Sequence, residues 1–410
     1  MRRDFSRAES YAGAARALGG PPWLSEARDA AADTLLARGF PARSEAWKYT
    51  RASTLLADVF AAPAQVGPVP QRGPWSSQPR LMFVDGALAE VAGDPAAWVQ
   101  PLVGPEAPPL GAALGEVEGF GALNLAMVRG GAWVRVPDGV DGGDLHLVHT
   151  SSGGGALGAV RHLISLGEGA RLRLFEHFVG GGAGAGLTSA TTEVMVGADA
   201  HLDHLRSLDE GDDALHVGAV GSVVAGGGLH RVTSVVVGGR LSRVELSVRL
   251  DGADARADLH GLALLRGAQH ADHHVSVDHA QPNAHSDQFF RSVLDGRSRS
   301  VYTGAVMVRE GALGTDSGQL HHALLLSDDA VVNARPWLEI YADDVRCAHG
   351  AAIGSLDAES LFYLRQRGLD ALGARSLLTA GFARLVLDRL SPSPVRDALH
   401  TRSDAWLATR

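Results

Sequence analysis

The chain has 410 residues, enough for two or three domains. Lys+Arg number 37 against 46 Asp+Glu, a formal charge of −9, which argues against nucleic acid as the main partner and against an anionic membrane surface. A single cysteine, Cys347, excludes an internal disulfide framework and fits a reducing compartment. The basic start MRRDFSRAES lacks an apolar segment behind it, and no run of about 18 apolar residues occurs anywhere. The expectation is a cytoplasmic protein without signal peptide or membrane span.

Residues 1–57 read as an N-terminal helical domain. Ala14, Ala15, Ala17 and Leu18, then Leu24 to Leu36, recur at helical spacing, and Pro21-Pro22 separates two helices. Lys48 is the only lysine. It lies in SEAWKYT with no glycine loop before it, so the chain carries no P-loop of its own. Residues 58–115 are rich in Pro, Gly and Ala and read as a linker with a small mixed element around LMFVDGAL (Leu81–Leu88).

From about 116 to 354 the chain is strand after strand. HLVHT (His146–Thr150), HLISL (His162–Leu166), RLRLFEHF (Arg171–Phe178), TTEVMV (Thr191–Val196), RVTSVVV (Arg231–Val237), LSRVELSVRL (Leu241–Leu250) and AVMVRE (Ala305–Glu310) are strand-like, several with apolar/polar alternation. The 51 glycines suit tight turns, and GGGAGAG (Gly180–Gly186) reads as a turn or loop. Leu166-Gly167-x-x-Ala170-x-Leu172 returns 30 residues later as Val196-Gly197-x-x-Ala200-x-Leu202, which suggests stacked β units. A sandwich or barrel has the same strand content. After Gly354 the period turns helical. Asp357 and Glu359 open one helix and Gly368 ends it. A second is expected from Asp370 to Arg389, with Leu377, Leu378, Phe382, Leu385 and Val386 on one side, and a short third in the tail. Residues 355–410 form the expected C-terminal helical domain.

Three clusters offer chemistry. Cys347 and His349 stand at i and i+2 of an extended segment, so they share a face. A thiol and an imidazole suit zinc, copper or iron–sulfur chemistry, but two ligands do not close a site. A free cysteine is as often a small buried apolar residue. Five histidines crowd QHADHHVSVDHAQPNAH: His270, His273, His274, His279 and His285. On one strand His273 and His279 share a face, and the group reads either as packed side chains or as a metal site. Asp343 and Asp344 are adjacent, so they point apart and suit a turn better than acid–base catalysis. No GxSxG or well-placed GxGxxG occurs.

The segment YADDVRCAHGAAIGSLDAESLFYLRQRGL (Tyr341–Leu369) resembles the C-terminal signature of SufD, a scaffold family of the SUF iron–sulfur cluster assembly machinery. The similarity continues through GRSRSVYTGAVMV (Gly296–Val308), TDSGQ (Thr315–Gln319), LLLS (Leu324–Ser327), PWLEIYADDV (Pro336–Val345) and SEAWKYT (Ser44–Thr50). The resemblance implies a mainly β fold, a right-handed parallel β-helix core over 116–354 flanked by helical ends. It implies a non-catalytic scaffold that pairs with a SufB-type paralogue and recruits a SufC-type ATPase. The single cysteine favours SufD over SufB, whose members carry more. His349 would handle iron at the subunit interface, with Cys347 beside it. Leu361, Phe362, Leu364, Arg367, Gly368 and Phe382 would dock the ATPase. No tightly bound cofactor is expected in isolation. Iron or a cluster would be transient in the complex, which leaves room for a flavin, and an unprotected β-helix edge makes a homodimer one option for the chain alone. The competing reading is a β-helix or cupin-type metalloenzyme built on the His270–His285 cluster, with His273 and His279 as its ligands.

Overall fold

The computed structural model describes residues 3–41, 44–64, 78–114, 118–180 and 182–408. Residues 65–77 and 115 of the expected linker, and Gly181 of the glycine stretch, lie outside the described residues. The strand-rich region is a parallel β-solenoid. From Ala132 to Gly354, consecutive strands alternate between two sheets, and each pairs in parallel with the strand two places later in the chain. Sheet I runs in register from Leu157 through Leu187, Leu215, Leu241, His270 and Arg299 to Val331. Sheet II runs from Arg171 through His201, Leu229, Arg256, His285 and Asp316 to Arg346.

The corners set this register. At the corner leading into sheet II every coil has a residue with a positive φ: Gly139, Gly169, Asp199, Gly227, Asp254, Asn283, Gly314 and Asp344. Glycine adopts that region freely, and Asp and Asn tolerate it best among the rest. The backbone N–H of each of the first seven donates to a carbonyl of the next coil's corner, at 2.7 to 3.2 Å. Asp344 therefore belongs to a corner, which accounts for the acidic pair. At the preceding corner position, a side chain on Gly197 would run into the Leu166 carbonyl of the coil below.

Alternation then divides inside from outside. The lumen holds Leu172, Leu202, Val232, Leu259, Val275 and Val306 among many apolar side chains. Two helical layers cover the outer faces. Helices Ser6–Arg16 and Pro22–Arg38 pack over sheet I, and the C-terminal helices Ala371–Leu387 and Pro394–Ala408 pack over sheet II. Two elements differ from the sequence reading. Phe120–Met127 is a helix rather than a strand. Its run, apolar but for Asn124, is buried against the N-terminal helices, where a short and mostly apolar segment fits either conformation. LMFVDGAL is a hairpin of Arg80–Val84 and Ala87–Ala92, because Asp85-Gly86 supplies two positive-φ residues. Among the described residues no helix is long and apolar enough to cross a membrane.

The lumen also contains buried charge. Arg206 and Glu176 pair at 3.2 Å and His204 lies 3.0 Å from the same carboxylate, all without exposed side-chain surface. Burial alone would raise the Glu176 pKa, but Arg206 and His204 hold it well below the usual range. For four other lumen histidines burial outweighs every neighbouring charge. Burial lowers His162, His273 and His279 to about 4 and His321 to about 3, from 6.5. The unfolded chain therefore binds more protons over that interval. Stability should be full above about pH 6.5 and decline progressively as pH falls toward 4. At pH 5.5 each such histidine removes about 1.4 kcal/mol. Urea midpoints at pH 7.5 and 5.5 measure this, and His273→Leu should flatten the dependence; equal midpoints for the wild type at both pH values would contradict it.

Candidate functional site

The last strand, Arg346–Gly354, closes sheet II at its C-terminal edge. Cys347 lies in register with Ser317, and His349 with Gln319. One coil further in, the same columns hold Ser286 and Gln288. Cys347 packs against the lumen core, so it and His349 both face the lumen rather than the outer surface. No further coil covers them. Cys347 is half-buried and His349 is exposed. Burial, then the nearby Asp316 carboxylate, pushes the Cys347 thiol up.

Beneath this mouth the lumen turns polar. His279 Nε2 lies 2.8 Å from Ser286 Oγ, which lies 2.9 Å from Ser317 Oγ. The Tyr302 hydroxyl donates to Gln288 Oε1 at 2.9 Å, and its ring stacks on His321 at 4.9 Å. Gln319 is buried directly under His349, yet neither atom of its carboxamide has a partner. Thiol, imidazole, hydroxyl and carboxamide thus converge on the open end of the solenoid.

The histidine cluster does not converge. His273 and His279 face the lumen, where His273 meets Ser234 at 3.0 Å. His270 and His274 take the opposite face of the same strand, and His285 is in the other sheet. Among the described residues, no three His, Cys, Asp or Glu side chains are placed to hold a metal ion.

The proposed docking residues spread over two helices. Ala358–Gln366 is capped by Asp357, which accepts from the Ser360 N–H at 2.7 Å. It ends where Gly368 turns to φ 93°, with the Leu369 N–H donating to the Leu364 carbonyl. Phe362 is 65% exposed, Leu361 and Leu364 are half-buried, and Arg367 lies over the Tyr363 ring at 5.1 Å. Phe382 packs inward, with the Arg291 guanidinium 4.3 Å from its ring, so it helps dock the helix onto sheet II. The buried side of Ala371–Leu387 is Ala380, Ala383, Val386 and Leu387 rather than the expected leucines. Leu377 and Leu385 are exposed instead. They join Phe362, Tyr363 and Leu372 in an uncovered apolar set. Gln319 was also missed, and only its place one coil below His349 reveals it.

A family model described as "SUF system FeS cluster assembly, SufBD core domain" matches residues 148–382, more than half of the chain. The iron–sulfur cluster assembly protein SufD of Escherichia coli K12 is 28% identical over 379 residues, covering 90% of this chain and 89% of its own length. A SufBD family protein of Synechocystis is 32% identical over 199 residues, 48% of this chain and 44% of the relative. One from Mycobacterium leprae is 32% identical over 224 residues, 53% of this chain and 57% of the relative.

An unpaired buried amide costs about 1–3 kcal/mol, so Gln319→Leu should raise stability by about 1 kcal/mol. His349→Ala should leave it within about 0.5 kcal/mol, since the side chain is exposed. Urea denaturation of both variants measures this; a marked loss in either would give that residue a structural role.

Proposed function

Because the chain belongs to the SufBD core family of the SUF iron–sulfur cluster assembly system, we propose that it serves iron–sulfur cluster assembly as a scaffold subunit of the SufD type. The observation that carries this reading is the uncovered last coil, which presents Cys347 and His349 at the mouth of a polar lumen. Its two outer strands, Val331–Ile340 and Arg346–Gly354, each have one unpaired edge. Such edges are templates for pairing with another chain. A SufB-type paralogue fits there, and a second copy of this chain would fit when that partner is missing.

In this reading iron, or a nascent cluster, is cargo. The His349 imidazole offers a borderline ligand and the Cys347 thiolate a soft one, and the partner supplies the remaining positions. Ligation needs the thiol deprotonated, so bound metal must overcome the burial that raises its pKa. Gln319 and Ser317 lie one coil below, within the same columns, and offer hydrogen bonds to whatever non-protein ligand the metal carries. No ATP chemistry is assigned to this chain, whose only lysine lacks a glycine loop. A SufC-type ATPase would dock on the uncovered Phe362, Tyr363, Leu372 and Leu377, and its hydrolysis cycle would move the two scaffold chains relative to each other. The metalloenzyme reading has no support from the split histidine cluster.

Two outcomes are expected. In cells that depend on this chain, His349→Ala should lower the activity of cluster-requiring enzymes roughly tenfold at unchanged protein level; unchanged activity would remove His349 from the site. In co-expression with SufB-type and SufC-type partners, Phe362→Asp with Leu377→Asp should release the ATPase and retain the paralogue. Retention of the ATPase, or loss of the paralogue instead, would place the docking surface elsewhere.

A further inference from the structure

A cavity of about 450 Å³ lies between the N-terminal layer and the outer face of sheet I, and none of its described lining residues belongs to the last coil. It joins two sequence features that have no role at the solenoid mouth: the SEAWKYT block and the outward-facing His274. Its floor is a sheet surface of mostly small side chains. One rung aligns Thr191, Ala219, Glu245 and His274, and the next aligns Gly221, Ser247 and Ser276.

Both walls are fixed to this floor by buried charge. On one side, the Glu193 carboxylate accepts from the Gly111 and Ala113 N–H groups at 3.0 and 3.3 Å. Arg161, fully buried, donates to Glu193 at 2.8 Å. Leu114 then rests over Gly221, where any side chain would collide with it. On the other side, Trp47 sits between the Phe120 ring at 4.9 Å and the Arg243 guanidinium at 4.0 Å. Arg243 is itself paired with Asp272 and Glu245, and Thr50 donates to Asp272. Glu45 reaches Arg335 at 2.6 Å. Two ion-pair networks therefore hold apolar walls apart over an open floor, where simple burial would have closed them.

The lining selects the ligand. Among the described residues no lysine or arginine lines the cavity, and its charged groups are Glu118, which pairs with Arg38, and Glu245, which pairs with Arg243. An anion would find no free cation among these lining residues. Trp47, Phe120, Leu114 and Val217 supply apolar surface, and the size suits a small molecule. Ser44 Oγ and His274 Nδ1 are buried without partners, one from each side of the cavity. Such groups are costly unless something satisfies them.

We propose that this cavity binds an uncharged, planar heteroaromatic molecule, laid on the Ala219–Ser247–Ser276 floor, with ring N–H or amino groups donating to Glu245 and its edge meeting Ser44 and His274. The site goes beyond the cluster-assembly reading and does not depend on it. The full-length protein is titrated with adenine, pterin and alloxazine, and with adenosine 5′-monophosphate as the anionic counterpart, by tryptophan quenching and calorimetry. At least one neutral ring should bind saturably, and the monophosphate should bind no tighter than adenine. Ala219→Phe should weaken binding about tenfold or more at unchanged melting temperature, and Glu245→Gln several-fold in protein that remains folded. Ser247→Leu, on the adjacent rung, replaces Ala219→Phe if that variant misfolds. Absence of saturable binding by all three rings, tighter binding of the monophosphate, or wild-type affinity in the floor-filling variant would overturn the proposal.

Discussion

Everything in this molecule hangs on the corner between the two sheets. Where sheet I turns into sheet II every coil has a residue with a left-handed backbone, and in seven of them its N–H bonds to the next corner. This stacks the coils in one register and so fixes which side chains share a column. A one-residue slip would send every lumen side chain to the surface and every surface charge inside. The positions that tolerate the conformation are glycine, aspartate and asparagine. They recur from Gly139 to Asp344, and that recurrence is the repeat of which the Gly167/Gly197 echo is a fragment.

Register alone creates the candidate site. A stacked solenoid covers each coil with the next, so its interior is dry except where stacking stops. At the last coil the columns of Ser286, Ser317 and Cys347, and of Gln288, Gln319 and His349, emerge into the open. Polar side chains deep in a lumen would ordinarily be a liability. Several are satisfied by one another, as in the His279–Ser286–Ser317 chain, whereas His149, His230 and Gln319 have no hydrogen-bond partner on their side chains. Of these, Gln319 lies at the end where a partner or cargo would arrive. The outer faces serve other purposes: sheet I carries the N-terminal layer and its cavity, and sheet II carries the C-terminal helices with their uncovered Phe362 and Leu377.

Much of the fold was legible in the sequence. Alternation marked strands such as Leu241–Leu250, and the family-like blocks pointed to a parallel β-helix with helical ends. The shared face of Cys347 and His349, and of His273 and His279, followed from a period of two. What escaped has a common cause. Period two separates the faces of a strand but does not say which face is the lumen, so the histidine cluster could not be divided between interior and surface. Helical spacing groups apolar residues but does not say which side is covered. Leu377 and Leu385 were therefore grouped on one side with Val386, whereas the covered side holds Ala380, Ala383 and Val386 and leaves both leucines exposed. Phe120–Met127 is too short and too nearly all apolar to betray its period. The cavity draws on Pro41, Ser44, Trp47, Leu114, Phe120 and four separate strands, a juxtaposition that no local pattern encodes.

The central claim is that the open last coil is the working end of the molecule, the surface that a SufB-type partner covers. Hydrogen–deuterium exchange of the chain alone and in complex with that partner tests it most directly. The account predicts slowed exchange at the outer strands Val331–Ile340 and Arg346–Gly354, with the buried middle coils unchanged. Protection confined to the N-terminal helices or the sheet faces, with Arg346–Gly354 exchanging as freely as before, would contradict it.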